Sequence, residues 1–502
     1  MSFYTLLENE NNYSETENGA LGYATTHSAL LDLNFATSSL RNTSEDEIVA
    51  KFKKAWDEDK SLALRWLLFL RDIRGGMGER RSFRTILAWL GKEEPQVISA
   101  LLQAKVEDQP LIAYFGRWDD IFSLLPTHYS EVVEVIRRQL NSDINHAAQG
   151  KAISLLAKWM PSVNTSSKEV VFEAKSLARA LGMSEGVYRK TLSKLRRYLR
   201  VVEQQMSARE WGNIDYSQVP SKANLLYSNA FMRHDTQRRN EYLQALSRGE
   251  ASINAGVLYP YDIFSRVGRE EDTLLDEMWK SFKDGRGINK SLIVVSDGSG
   301  SMTIPVSPQS SVRALDVAAS LALYFAETLQ GEFANKFITF SRRPQLVDVG
   351  MSGLHNKKAA ILKHTEVANT NIEAVFNLIL DTAVKNHLSP EEMPEGILII
   401  SDMEFDDCAR DSHDSYCSSR LFDEIGLRYQ RAGYQLPRLI FWNVCSRSNT
   451  IPLIENDLGV TLVSGFGVQN IEMLLSGDVD PLKALLGVLL TERYDCVTEL
   501  VG

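Results

Sequence analysis

The sequence predicts a multidomain chain: an all-α helical-repeat solenoid or ring over residues 1–285, then an α/β domain over 286–502. Three observations predict it. The length, 502 residues, exceeds one ordinary domain. From about residue 28 to 285, apolar residues recur at three- and four-residue steps, with Gly, Pro, Ser and Asp at the breaks. Near 286 the pattern changes to short apolar runs alternating with helical stretches, as in a mostly parallel sheet covered on both faces.

The helical part begins with "SALLDLNFATSSL" and "DEIVAKFKKAWDEDKSLALRWLLFLRDIR". "RSFRTILAWL", "PQVISALLQA", "DDIFSLL", "VVEVIRRQL", "ISLLAKWM" and "VVFEAKSLARAL" continue the series, joined by short connections. No strict repeat is visible, yet serial short amphipathic helices are the signature of a repeat array. In the second part, "SLIVVSD", "KFITFS", "QLVDV", "GILIISD", "RLIFWNV" and "TLVSGF" read as strands. "SVRALDVAASLALYFAETLQ", "NIEAVFNLILDTAVKN" and a segment near 419–432 read as helices.

Composition narrows the class. A hydrophobic fraction of 44% and a charged fraction of 24% are those of a soluble globular protein. No apolar run approaches the roughly 18 residues of a membrane helix, so no membrane partner is expected. The polar, acidic start "MSFYTLLENENNYSETENGA" reads as a tether or ordered arm rather than a signal peptide. Cys408, Cys417, Cys445 and Cys496 form no C-x-x-C pair, which fits free thiols in the cytoplasm; a Cys408–Cys417 bridge is the alternative. The net charge of −10 is uneven: residues 286–502 hold 27 acids against 18 bases, and the first 285 residues are nearly neutral. A nucleic-acid surface is therefore expected in the amino-terminal part.

The stretch "SLIVVSDGSGSM" ends a buried-looking strand in Asp297, Ser299 and Ser301, spaced by glycines. Glycine lets the chain turn tightly, so the acid and hydroxyls can converge. A hard cation such as Mg²⁺ takes six oxygens, keeps waters and needs only one or two carboxylates. Taken alone, "DGSGS" reads equally as an ordinary strand-to-helix turn with an Asx cap. Thr370, just before a helix, and Asp402, ending a second buried strand, add oxygens at matching places and favour the metal.

"DGSGSM", the later "TN" before a helix and "ISDMEFD" together resemble the metal-ion-dependent adhesion site of a von Willebrand factor A domain, a Rossmann-like α/β fold. The resemblance implies that Ser299, Ser301 and Thr370 coordinate Mg²⁺ or another divalent cation. Asp297 and Asp402 would bind it directly or through water, leaving one position for an acidic group of a partner. The rest of the chain resembles an uncharacterised family related to TROVE proteins through "NGALGYATTHSALLDLNFA", "FLRDIRGGMGER", "YFGRWDD" and "YRKTLSKLRRYLRVVEQQMSAREWGNIDYSQVPSKA". TROVE proteins such as the Ro autoantigen join a ring of HEAT-like helical repeats to a von Willebrand A domain and bind small structured RNAs and single-stranded RNA ends. That likeness implies a ribonucleoprotein scaffold. It rests on shared architecture and the piece carrying Trp211, Ile214, Tyr216, Val219, Pro220 and Ser221.

The helical part offers its own RNA signal. "RKTLSKLRRYLR" carries Arg189, Lys190, Lys194, Arg196, Arg197 and Arg200, with Tyr188 and Tyr198 interleaved. From 181 to 240 there are 11 bases against 5 acids. Such a concentration neutralises phosphates, and aromatic or Arg planes stack on unpaired bases. The same residues also read as a solvated helix face whose Leu192, Leu195 and Leu199 meet the core. A second candidate is "RDIRGGMGERRSFR", where Arg74, Arg80, Arg81 and Arg84 flank three glycines. Its backbone N–H groups could approach a phosphate, or the piece is an interhelical turn before a basic helix start. No G-K-[S/T] follows, so it is not a P-loop. "FGRWDD" reads as structural, with Trp118 packed, Asp119 at a helix start and Arg117 paired locally.

Catalysis finds little support. The eight histidines form no metal-binding pair at helical spacing, and Ser299 lacks a nucleophile elbow. Glu404 near the metal is the one candidate base. Asp406, Asp407, Asp411 and Asp414 form an acidic loop that reads as solvated. The expectation is a non-enzymatic scaffold with RNA and an acidic protein partner. A metal-dependent protein-interaction module without RNA is the alternative. A metal-dependent nuclease would need a second acidic cluster on the same strands.

Overall fold

The computed structural model describes residues 11–253, 255–268, 272–283, 287–340, 343–365, 371–406 and 420–500. It is predominantly helical and carries one six-stranded mixed sheet in its carboxyl-terminal part. No described helix is long and apolar enough to cross a membrane.

The chain forms two compact units. One holds residues 1–66 and 253–491; the other holds 67–252 and 492–502. This division differs from the single expected boundary between 285 and 286. Long-range contacts explain the difference, since periodicity carries no trace of them. In the sheet-bearing unit, helix Asp272–Lys283 buries Leu275, Met278, Trp279 and Phe282. Its Trp279 indole donates to Glu327 (2.6 Å), and Phe282 meets Tyr324 edge-on at 5.4 Å. The N-terminal arm carries a small hairpin, β1 (Ser14–Glu15) and β2 (Leu21–Gly22). Tyr23 and Ile451 then exchange both backbone hydrogen bonds, at 2.7 and 2.9 Å. Within the arm, residues 14–23 are held by these pairings.

In the helical unit, a second hairpin pairs β3 (Lys105–Val106) with β4 (Gln109–Pro110) through Glu107 and Asp108, both at positive φ. Strands of two residues leave no alternation to detect. The other elements are helices, including Arg81–Glu93, Pro95–Gln103, Leu125–Ala148, Lys168–Ala180, Glu185–Tyr198, Ser221–His234 and Thr236–Ser247. The long pattern from 46 to 74, which begins in the sheet-bearing unit, is two helices, Glu45–Glu58 and Lys60–Arg71. They part at Asp59, whose backbone is extended and whose carboxylate accepts from the Leu62 N–H at 2.8 Å. The piece from Trp211 to Ser221 is core: Ile214, Tyr216 and Val219 cluster with Val202 and Phe231, and Trp211 stacks on His234. Trp118 is buried, Arg117 caps helix Trp118–Phe122, and its guanidinium pairs with Asp119.

The sheet comprises β5 (Leu292–Asp297), β6 (Lys336–Phe340), β7 (Gln345–Asp348), β8 (Gly396–Ser401), β9 (Arg438–Asn443) and β10 (Val460–Ser464). Their order across the sheet is β10-β9-β8-β5-β6-β7, parallel except for the antiparallel edge strand β7. β5, β8 and β10 are buried at every position, which accounts for their unbroken apolar runs. Helix Ala314–Thr328 is buried nearly all round, so "ALDVAASLALYFAET" shows no polar face. From β5 the chain steps outward to β6 on one side and returns to β8 on the other. The strand order therefore reverses between β5 and β8, and ligands of open α/β sheets lie beyond the carboxyl ends of such strands.

Candidate metal centre

Asp297 is the last residue of β5, and Asp402 follows the last residue of β8. A Ser-Asp pair thus stands at the end of each strand, Ser296-Asp297 inside β5 and Ser401-Asp402 across the end of β8, so both carboxylates lie at the switch point. Asp297 is 1% exposed and Asp402 is fully buried. Asp297 accepts from the Ser299 N–H at 2.8 Å and from the Ser401 hydroxyl at 2.6 Å. Ser299 and Ser301 place their hydroxyl oxygens 2.9 Å apart, and Ser301 also hydrogen-bonds to Asp402. Asp297, Ser299, Ser301 and Asp402 thus converge. Thr370 lies outside the described residues.

The electrostatics suit a cation. Burial, and then the facing Asp402 carboxylate, push the Asp297 carboxyl up to about 7. Burial also raises Asp402, against the pull of Arg447 and Ser301. Two carboxylates and two hydroxyls offer hard oxygen donors to an ion such as Mg²⁺. Among the described residues no three His, Cys, Asp or Glu side chains gather as a metal cluster, so the donor set leans on hydroxyls. The residues present fit a divalent cation that keeps waters. Met403, directly after Asp402, is buried at φ 63°, a left-handed conformation uncommon for a non-glycine residue.

Three residues of the site carried no sequence signal for these roles. Arg447, from the loop after β9, bonds Asp402 through Nη1 at 2.9 Å. Its Nε bonds Glu17 of the arm at 2.6 Å. Although burial works against the charge, Asp402 and Glu17 raise the Arg447 pKa. Glu404, the candidate base, is fully buried and committed. Its Oε1 accepts from the N–H groups of Arg447 (2.6 Å) and Ser448 (2.8 Å) and from the hydroxyls of Ser446 and Ser448 (both 3.1 Å). Its Oε2 accepts from the Glu17 N–H at 2.9 Å. Burial alone would raise its pKa, but these bonds lower it. Glu404 ties the arm and the 446–448 loop to the strand end, a structural task rather than a base's. Asp406 pairs with Gly19 as an isolated bridge, and Asp407, Asp411, Asp414, Cys408 and Cys417 lie outside the described residues. Cys445 and Cys496 are free thiols.

The basic helix Glu185–Tyr198 divides into two kinds of residue. Arg189, Lys190, Lys194, Arg197 and Arg200 are exposed. Arg196 turns inward: its guanidinium donates to the Ala157 carbonyl (2.7 Å), the Met160 carbonyl (2.6 Å) and the Ser162 hydroxyl (2.7 Å). Tyr188 is buried and donates to the Pro161 carbonyl at 2.9 Å. Both are structural, because the helix needs them to seat against 156–162. Tyr198 remains partly exposed. Two clefts border the helix. One of about 1020 Å³ is lined by Lys158, Trp159, Arg197 and Arg200 among others, and one of about 440 Å³ by Arg189 and Lys190.

The glycine loop is held internally. An added Cβ on Gly76 would lie 2.0 Å from the Phe69 carbonyl oxygen, so close backbone packing accounts for that glycine. Arg493 and Tyr494 bond the Asp72 carboxylate below the loop. Arg74 donates to the Tyr114 carbonyl at 2.8 Å. Arg84 pairs with Asp119 and Asp120. Arg80 and Arg81 are exposed at the start of the next helix.

Fold and site together define the class: a helical unit and a sheet-bearing α/β unit in one chain, with an oxygen-lined cradle at the sheet's switch point. Residues 16–133 and 127–289 match the family described as Domain of unknown function (DUF2828), and the chain belongs to that family. Residues 291–484 match a second, Domain of unknown function (DUF7788). The chain is also similar to "Uncharacterized protein L728" of Acanthamoeba polyphaga mimivirus, 29% identical over 520 residues that span 95% of this chain and 87% of that protein.

Proposed function

We propose that the chain is a non-catalytic binding scaffold. Its α/β part, of von Willebrand factor A type, takes a divalent cation, preferably Mg²⁺, and through it an acidic group of a partner. Its helical part, of TROVE type, binds RNA. The observation that carries the reading is the convergence of Asp297, Ser299, Ser301 and Asp402 beyond β5 and β8. The strand order, with one antiparallel edge strand, supports the fold assignment. When bound, the cation supplies a Lewis-acidic position for a carboxylate. Asp297 and Asp402 supply the negative charge that holds it, and the Ser299 and Ser301 hydroxyls orient it. Ser401 and the Ser299 N–H keep the Asp297 carboxylate in place.

The RNA half of the reading is supported by the exposed Arg189, Lys190, Lys194, Arg197 and Arg200, of which Arg197 and Arg200 line a cleft that also contains Trp159. Arg74, Arg80 and Arg81 form the second candidate surface. Arg196 is withdrawn from the RNA set because its donors are spent on carbonyls and a hydroxyl.

The test has two arms. Mg²⁺ titration calorimetry on the whole chain should show one site, lost in Asp297→Ala with Ser299→Ala while the circular dichroism spectrum is kept. Unchanged uptake in that variant would refute the site. Binding of a single-stranded RNA at several salt concentrations should weaken in Arg197→Glu with Arg200→Glu. Its log–log salt slope should shrink by about 1.4, from two lost phosphate contacts. Equal affinity and slope would leave the second reading, a metal-dependent protein-interaction module without RNA. The inward turn of Arg196 and Tyr188 favours that reading, because it removes two residues from the RNA signal.

A further inference from the structure

Arg447 lies between two carboxylates of opposite standing. Asp402 belongs to the cradle and is fully buried; Glu17 belongs to the arm and is half exposed. The Arg447 backbone is pinned from behind, since its N–H donates to Glu404 at 2.6 Å and the flanking Ser446 and Ser448 hold the same carboxylate; the guanidinium reaches forward to both acids. Glu404 in turn holds the Glu17 N–H and, through its carbonyl, the Asn18 side chain at 2.6 Å. The arm, the 446–448 loop and the end of β8 are therefore one hydrogen-bonded assembly. In it, the Arg447 guanidinium touches one of the two acids available to a cation and, at its other edge, Glu17 of the arm.

We propose that Arg447 is a built-in competitor of the divalent cation for Asp402, and that Glu17 of the arm is the group that draws it off. The inference rests on the divalent-cation reading of the site. A guanidinium on Asp402 offsets part of the cradle's negative charge and repels an incoming dication, and both effects lower metal affinity. Glu17 counters this by taking part of the guanidinium's charge and hydrogen bonding. The arm thereby sets the metal affinity of a site more than 270 residues away in sequence. A displaced arm leaves Arg447 to Asp402 and weakens the cation; a seated arm favours it.

The test is Mg²⁺ titration calorimetry on the whole chain at fixed ionic strength. Arg447→Gln should tighten Mg²⁺ by about tenfold or more, because the competing charge is gone. Arg447→Lys keeps the charge and should stay within about threefold of the parent. Glu17→Gln should weaken Mg²⁺ by about threefold or more, with the fold intact by thermal melt. If Asp297→Asn abolishes uptake but Arg447→Gln leaves affinity unchanged or lower, the competition is refuted and the metal reading stands. Should Arg447→Gln fail to fold, Glu17→Gln decides alone, and unchanged affinity there refutes the inference. If neither the parent nor Arg447→Gln takes up Mg²⁺, the metal reading falls and the inference with it.

Discussion

The strand-end cradle and the basic helix use charge in opposite ways. At the cradle the charges are few and buried, and nearly each oxygen has a named donor: Asp297, Asp402 and Glu404 are at most 1% exposed. On helix Glu185–Tyr198 the charges are many and exposed, and the one arginine drawn inward has become a structural part. Clustering in sequence therefore measures solvated charge better than it measures a built site. Burial gives a charge its specific task, because an unpaired buried charge is costly and must be matched.

The largest effect should come from the most fully matched group. Glu404→Ala strands the donors of Arg447, Ser446, Ser448 and Glu17 together. It should cost about 3–5 kcal/mol in a urea melt, with protease cleavage appearing in the arm. A loss below about 1 kcal/mol would break the comparison at its stronger end.

The next effect separates neighbours on the basic helix. Arg196→Ala removes three bonds to 157–162 and should cost about 2–3 kcal/mol. Arg197→Ala, one residue on and exposed, should stay within about 0.5 kcal/mol. Equal costs at the two positions would mean that the helix does not distinguish them.

The same contrast explains what the sequence could tell. The sheet strands were legible because β5, β8, β9 and β10 are continuous apolar runs with few polar positions to misplace. The meeting of Asp297, Ser299, Ser301 and Asp402 was legible because all four lie at or shortly past the ends of two neighbouring strands. Arg447 and Glu17 were not, since their role depends on contacts 45 and 430 residues apart in sequence. Glu404 stands two residues past Asp402, which the sequence shows, but its five donors come from Glu17 and the 446–448 loop and leave no sequence signal. Within "RKTLSKLRRYLR" the helical period marked Leu192 and Leu195 as core. It gave no means of telling that Arg196 would reach the 157–162 carbonyls while Arg197 faced solvent.

The smallest effect tests whether burial, rather than membership of one unit, makes the difference. Glu327, on the helix behind the sheet, is 3% exposed and paired with Lys283, Lys357 and the Trp279 indole. Burial alone would raise its pKa, but these partners lower it. A depressed carboxylate contributes stability above its unfolded value of about 4.3 and loses it as pH falls through the folded value. Melting temperatures of the parent and Glu327→Gln should therefore differ most near neutrality and converge below about pH 4. Asp72 in the helical unit, lowered by Arg493 and the Arg74 N–H against its own burial, should show the same convergence in Asp72→Asn. If Glu327→Gln converges and Asp72→Asn does not, the two units treat buried charge differently and the contrast lies deeper than burial.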